Sequence, residues 1–144
     1  MSDGETSTLL PAAPCVRIPA NAPPFLEGLR CRRCGEVHVG AFRACPACSA
    51  RDSLMPDRLA DAGSLHSFSI VHRSFPDVVV PFVSAVVALD DGGFLKGNLI
   101  GVLADPAAVA GVGRVRVILQ EAPVRDAKGR RYMTYVFQPL DGQD

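Results

Sequence analysis

The sequence predicts a mainly β protein in which an N-terminal four-cysteine ribbon precedes a five-stranded barrel. Three observations carry this reading. Two Cys-x-x-Cys pairs, Cys31 with Cys34 and Cys45 with Cys48, lie ten residues apart in RCRRCGEVHVGAFRACPACS. Five later segments have the alternating or continuous apolar character of strands and are separated by Gly-, Asp- and Pro-rich turns. No segment carries a helical pattern long enough for a crossover between parallel strands. The expected organisation is an extended Pro-rich tail over 1–24, a ribbon over 25–53 and the barrel over 54–144.

Within the tail, Pro11, Pro14, Pro19, Pro23 and Pro24 block helix propagation and remove backbone donors. The expectation is a tail without fixed pairing, or one lying extended along a partner. Phe25, Leu26 and Leu29 then lead into the ribbon.

Each Cys-x-x-Cys pair turns both thiolates toward one centre, and the ten intervening residues suffice for two short antiparallel arms. Four soft sulfurs with no open position suit a structural Zn²⁺. Gly35 permits the positive φ of a metal knuckle, and Pro46 pre-sets a turn in the second pair. The pattern also resembles rubredoxin, which holds iron; Ser49, standing where a second knuckle glycine would repeat, argues against iron. Two disulfides are the other alternative. A chain of this length can hold a core without them, and nothing at its start reads as a secretory leader.

After Cys48 the stretch ARDSLMPDRLAD reads as a connector, with Leu54 and Met55 packing beside the ribbon. Gly63 to Val71 alternates, with Phe68 and Ile70 on one face and Ser67 and Ser69 on the other. Phe82 to Leu89 is apolar on both faces, and Asp90-Asp91-Gly92-Gly93 is a hairpin turn into Phe94 to Ile100. Asp105 followed by Pro106 is a helix start, a capping carboxylate before a residue pre-formed for the first turn. Gly113 to Glu121 places Val115, Val117 and Leu119 inward, with Arg114 and Arg116 outward, and a polar turn leads into Tyr132 to Gln138. Three strands, a short helix and two strands is the order of an OB-fold. A β-sandwich is the competing architecture.

Composition bounds the function. Fifteen basic and fifteen acidic residues cancel in 144 residues, giving no general attraction for nucleic acid or anionic membrane. No apolar run approaches the roughly 20 residues of a membrane span, so the expectation is a cytoplasmic protein. Covalent catalysis by cysteine needs an activated thiol and an acid/base partner. Four cysteines are committed to metal, Cys15 stands alone in the tail, and only three histidines remain. His38 reads as an exposed arm residue. His66 and His72 share parity with Phe68 and Ile70 and read as partly buried, with contact to ligand or partner the alternative for His72-Arg73.

The succession of the four-cysteine ribbon, GSLHSFSIVHR, PFVSAVVALDDGGFLKGNLIG, a short helix and VGRVRV resembles the DUF35 family over about 25–140. These are acyl-CoA-associated OB-fold proteins with a rubredoxin-like zinc ribbon. The resemblance implies a non-catalytic accessory subunit in a hetero-oligomer with a thiolase-fold large subunit, an acyltransferase whose acyl-CoA site it completes. Its implied cofactors are structural Zn²⁺ on Cys31, Cys34, Cys45 and Cys48, and a coenzyme A thioester as ligand of the complex. Family members usually carry a longer helical arm before the ribbon; here PPFLEGLR runs almost directly into Cys31.

CoA phosphates call for Arg or Lys. Between Arg114 and Arg131 stand six basic residues against Glu121 and Asp126, for which a solvated hairpin is the plainer explanation. The candidate contacts are Arg114, Arg116, Lys96, Asn98, His72 and Arg73. A nucleic-acid-binding module is the rival class, since zinc ribbons and OB-folds both serve it. It is disfavoured by zero net charge, the lack of Trp, and Phe positions that read as core.

Overall fold

The computed structural model describes residues 9–123 and 125–140. By internal contact the chain forms two compact units. One comprises the chain up to Leu59 together with Leu119–Tyr135, the other Ala60–Ile118 together with the chain from Val136 onward.

In the first unit the Pro-rich segment is fixed from Leu9 onward, which corrects the expectation of an unpaired tail. Strand β1 (Leu9–Pro11) runs parallel to Arg131–Met133 of the last strand. The Ala12 N–H extends the ladder to the Met133 carbonyl at 2.9 Å. Strand β2 (Val16–Arg17) pairs antiparallel with β3 (Phe25–Cys31), setting Val16 opposite Leu26, both buried. Proline removes donors between these pieces, so pairing survives only in fragments of two or three residues. Residues 1–8 of the expected tail lie outside the described residues.

β3 is the axis of the ribbon. It pairs antiparallel with β4 (Val37–His38) and, over its whole second half, with β5 (Leu54–Arg58). The stretch expected to be a connector therefore contains a strand of the ribbon sheet, with Leu54 opposite Cys31. Arg30 and Asp57 tie the two strands through a 2.7 Å ion pair.

The barrel strands are β6 (Ala62–Val71), β7 (Phe82–Leu89), β8 (Phe94–Leu99), β9 (Arg114–Glu121) and β10 (Arg131–Pro139). Their order is β10-β8-β7-β6-β9, and a β9–β10 pairing closes the ring. This is the OB-type barrel that the element order predicts. Val83, Ala85, Val87 and Leu89 of β7 are buried, as are Leu95, Leu99, Val115, Val117 and Phe137. Their spacing follows the two-residue period of a strand with one inward face. The helix α1 (Pro106–Ala110) is capped as expected, the Asp105 carboxylate accepting from the Ala108 N–H at 3.1 Å, and it places Val109 in the core.

β6 carries the one departure that matters for site reading. Leu65 pairs with Val87 and Ser67 with Val86, so His66 is an extra residue in a bulge. The bulge shifts the inward phase from Gly63 and Leu65 to Phe68 and Ile70. His66 is consequently exposed, its ring edge against Phe94 at 5.0 Å, and His72 lies beyond the strand end, also exposed. The expectation that one or both are partly buried fails, because parity at His66 does not survive the bulge and His72 lies past the end of the strand. At Gly63 the strands approach so closely that a Cβ would stand 2.3 Å from the Ala88 carbonyl oxygen.

Candidate metal centre and ligand surface

The four cysteines converge. Cys31 ends β3, and Cys34 follows on a turn closed by the Gly35 N–H to the Cys31 carbonyl at 2.9 Å. The second knuckle repeats this bond, Ser49 N–H to Cys45 carbonyl at 2.8 Å. All four sulfurs lie within 4.8 Å of one another, with Cys31–Cys48 at 3.7 Å and Cys34–Cys45 at 3.6 Å. A disulfide needs about 2.05 Å, and all five cysteines are free. Four thiolates around a tetrahedral ion at about 2.3 Å stand about 3.8 Å apart, so the spacing fits a metal ion such as zinc.

Amide hydrogens support the sulfurs. The Cys34 N–H points at Cys31 Sγ at 3.5 Å, and the Ala47 and Cys48 N–H groups point at Cys45 Sγ at 3.4 and 3.5 Å. Two side chains that sequence reading did not assign to the centre join them. The Ser53 hydroxyl lies 3.2 Å from Cys31 Sγ, and His38 Nε2 lies 3.4 Å from Cys45 Sγ with its ring against Phe42. Half-buried His38 is thus an outer contact of the sulfur set and not a free arm residue. Nothing in the local pattern marks Ser53; its place follows from the turn that returns the chain to β5.

The thiols are electrically unequal. The Ser53 hydroxyl, then the Cys34 amide, hold Cys31 down to about 6. Cys34 is pushed up to about 12: the Glu36 amide acts to lower it, but burial and the facing sulfurs of Cys45, Cys48 and Cys31 together prevail. Crowded sulfurs resist joint ionisation until a cation sits among them. Cys31, Cys45 and Ala50 are buried with Cys48 and Leu54 against them, so the centre is itself the core of the ribbon.

The candidate CoA contacts do not form one constellation. Arg114 and Arg116 project from the exposed face of β9, but Arg114 is held by Asp90 through bonds of 2.6 and 2.9 Å. Arg130 pairs with Asp126 and Arg131 with Glu121, so half of the basic cluster is internally neutralised. Lys96 and Asn98 are exposed on β8 beside Phe94, while His72 and Arg73 open the exposed 72–81 loop. That loop displays Phe75, Val78, Val79 and Val80, and Ile100 and Leu103 stand exposed after β8. Because Val71 pairs with Phe82, and Val83 with Leu99, both loops leave the same end of the sheet.

Comparisons agree with this architecture. Residues 57–119 match the family model described as the C-terminal OB-fold domain of ChsH2. A DUF35 domain-containing scaffold protein of Methanocaldococcus jannaschii is 29% identical over 77 residues, 52% of this chain, and the match spans 55% of that relative's length. Among solved structures, the Ltp2-ChsH2(DUF35) aldolase aligns at 27% identity and a TM-score of 0.62, covering 81% of this chain and 85% of the other.

Fold and site together define a protein that joins a four-cysteine ribbon to an OB-type barrel. By these matches the chain is similar to DUF35 proteins, and residues 57–119 carry the likeness to the ChsH2 OB-fold domain. Among the described residues no helix is long and apolar enough to cross a membrane.

Proposed function

We propose that this chain is an accessory subunit of an acyl-CoA enzyme complex, a scaffold whose ribbon is held by structural zinc and which completes the acyl-CoA site of a thiolase-fold large subunit. The observation that carries the reading is the likeness, along most of both chains, to the DUF35 chain of a solved two-component aldolase. The exposed apolar loops at one barrel end support it, since six large apolar side chains facing water are characteristic of a surface that meets another protein. The short arm before Cys31 is similar to the small subunit of benzoylsuccinyl-CoA thiolase, of anaerobic toluene breakdown, which is the particular form of the reading. In it, Arg114, Arg116, Lys96, Asn98, His72 and Arg73 contact the ligand or an acidic surface of the large subunit from the barrel.

Co-purification of the tagged chain from its host, with mass spectrometry and metal analysis of the same sample, tests this. A thiolase-fold partner and about one zinc per chain are expected; recovery of nucleic acid or ribosomal proteins would overturn it. Replacing Cys31 by Ser is expected to release the zinc, loosen the ribbon and abolish assembly. Full assembly of a zinc-free Cys31→Ser protein would remove the metal from the account. Neutralising Arg114 with Arg116 is expected to raise the KM of the complex for acyl-CoA several-fold without loss of folding; unchanged kinetics would exclude a ligand role for both.

A further inference from the structure

The ribbon carries a second feature, separate from its sulfurs. Arg32 and Arg33 are the exposed residues between Cys31 and Cys34, and Arg51 is exposed just beyond the second knuckle. Together with Asp52 they line an open cleft of about 440 Å³ floored by Ala50 and Ser53. The cleft is built and not incidental. Asp52 adopts a φ of +56°, which reverses the chain so that Ser53 returns to the first knuckle. There the Ser53 carbonyl accepts the Arg32 N–H at 2.8 Å and its hydroxyl meets Cys31 Sγ. Arg51 is pinned from the other side by its bridge to Ala44.

Five arginines are held by acids: Arg17 by Glu27, Arg30 by Asp57, Arg114 by Asp90, Arg130 by Asp126 and Arg131 by Glu121. The guanidinium groups of Arg32, Arg33 and Arg51 make no hydrogen bond or ion pair with any described residue. A counter-charge to the thiolates is the simplest alternative role. It would place their N–H groups on the sulfurs, whereas the sulfurs are met by amides, Ser53 and His38. Three arginines lining one open cleft suit the oxygens of a phosphate, which guanidinium binds two bonds at a time.

We propose that this cleft is a phosphate-binding site and that its ligand is the phosphorylated nucleotide end of the coenzyme A thioester. The second part rests on the acyl-CoA reading above; the first does not. The ribbon thereby holds the nucleotide of a substrate whose acyl end reacts in the large subunit, and its sulfur centre fixes the spacing of the arginines.

The test is calorimetric titration of the full, zinc-loaded chain with coenzyme A, 3′-dephospho-coenzyme A, inorganic phosphate and a short single-stranded DNA. Coenzyme A is expected to bind, and the Arg33→Ala/Arg51→Ala variant to bind it about ten- to a hundredfold more weakly. Inorganic phosphate is expected to compete. Arg43→Ala, which removes one positive charge from the ribbon outside the cleft, is expected to bind as wild type, and zinc content is expected to be equal in all three proteins. Binding of dephospho-coenzyme A as weak as that of the variant would identify the 3′-phosphate as the group held. Equal coenzyme A affinity in wild type and cleft variant overturns the site. DNA binding tighter than coenzyme A through the same arginines overturns the ligand in favour of nucleic acid. Phosphate binding without preference for coenzyme A also overturns the ligand, while recovery of the large subunit with the cleft variant shows the accessory-subunit reading to stand. Loss of that recovery reassigns the arginines to the subunit interface and overturns the ligand role.

Discussion

At the level of single residues, the two knuckles of the ribbon make the same turn with different amino acids. Gly35 holds a φ of +82° and Ser49 a φ of +69°. An L-residue in that region costs about 1–2 kcal/mol against its Cβ and carbonyl contacts; glycine bears no such cost. Ser49→Gly is therefore expected to stabilise the ribbon by about 1 kcal/mol, read as a higher denaturant midpoint. An unchanged midpoint would mean that the Ser49 side chain makes a compensating contact. The departure from glycine at position 49 thus leaves the knuckle geometry unchanged. Residue type reports what a backbone prefers, and the knuckle turn dictates what it does.

Among the elements, the β9–β10 hairpin turns on one carboxylate. Asp126 accepts from the Lys128 and Arg130 amides at 2.9 and 2.8 Å, from the Arg130 guanidinium at 2.5 Å, and from the Tyr132 hydroxyl at 2.9 Å. These bonds, the Arg130 amide first, lower its pKa from 3.8 to about 2. The folded value lies below the unfolded one, so the contribution is complete above pH 3.8 and is lost as pH falls toward 2. Amide signals of the turn are expected to titrate near pH 2 in the wild type and to lose that step in Asp126→Asn; a midpoint near 3.8 would show the carboxylate to be free. The same hairpin explains why a signed charge count misleads. Its excess of arginines is visible along the chain, but the Asp90 that holds Arg114 lies 24 positions away. Strand β7 was legible as a continuous apolar run bounded by a turn, and β9 because Val115 and Val117 alternate with Arg114 and Arg116. β5 was not, because LMPDR contains a proline and shows no alternation, and it forms only because β3 offers it a ladder. The His66 bulge was invisible for a related reason: one inserted residue changes the phase of a strand without changing its composition.

For the molecule as a whole, the four-sulfur cluster was readable because cysteine spacing alone brings the sulfurs together, whereas the faces of the barrel depend on which strands become neighbours. The five-strand order with its short helix identified the barrel, but the N-terminal pairing was hidden among prolines. That pairing has a consequence for handling and processing of the protein. At Arg131–Met133, β10 has β1 along one side, while the Tyr132 carbonyl is bonded toward β9 through the Ala122 amide. Cutting the chain after Ala12 strips three residues from a sheet margin and leaves a row of amides and carbonyls able to template another chain. A protein lacking residues 1–12 is expected to self-associate as its concentration rises, seen as a growing weight-average mass in sedimentation or light scattering. A truncated protein that keeps the mass of the intact chain at every concentration would show that β1 is dispensable. With the expected outcome, β1 acts as a guard against aggregation, and an exopeptidase or a misplaced affinity-tag cleavage site that removed it would convert a well-behaved protein into an adhesive one.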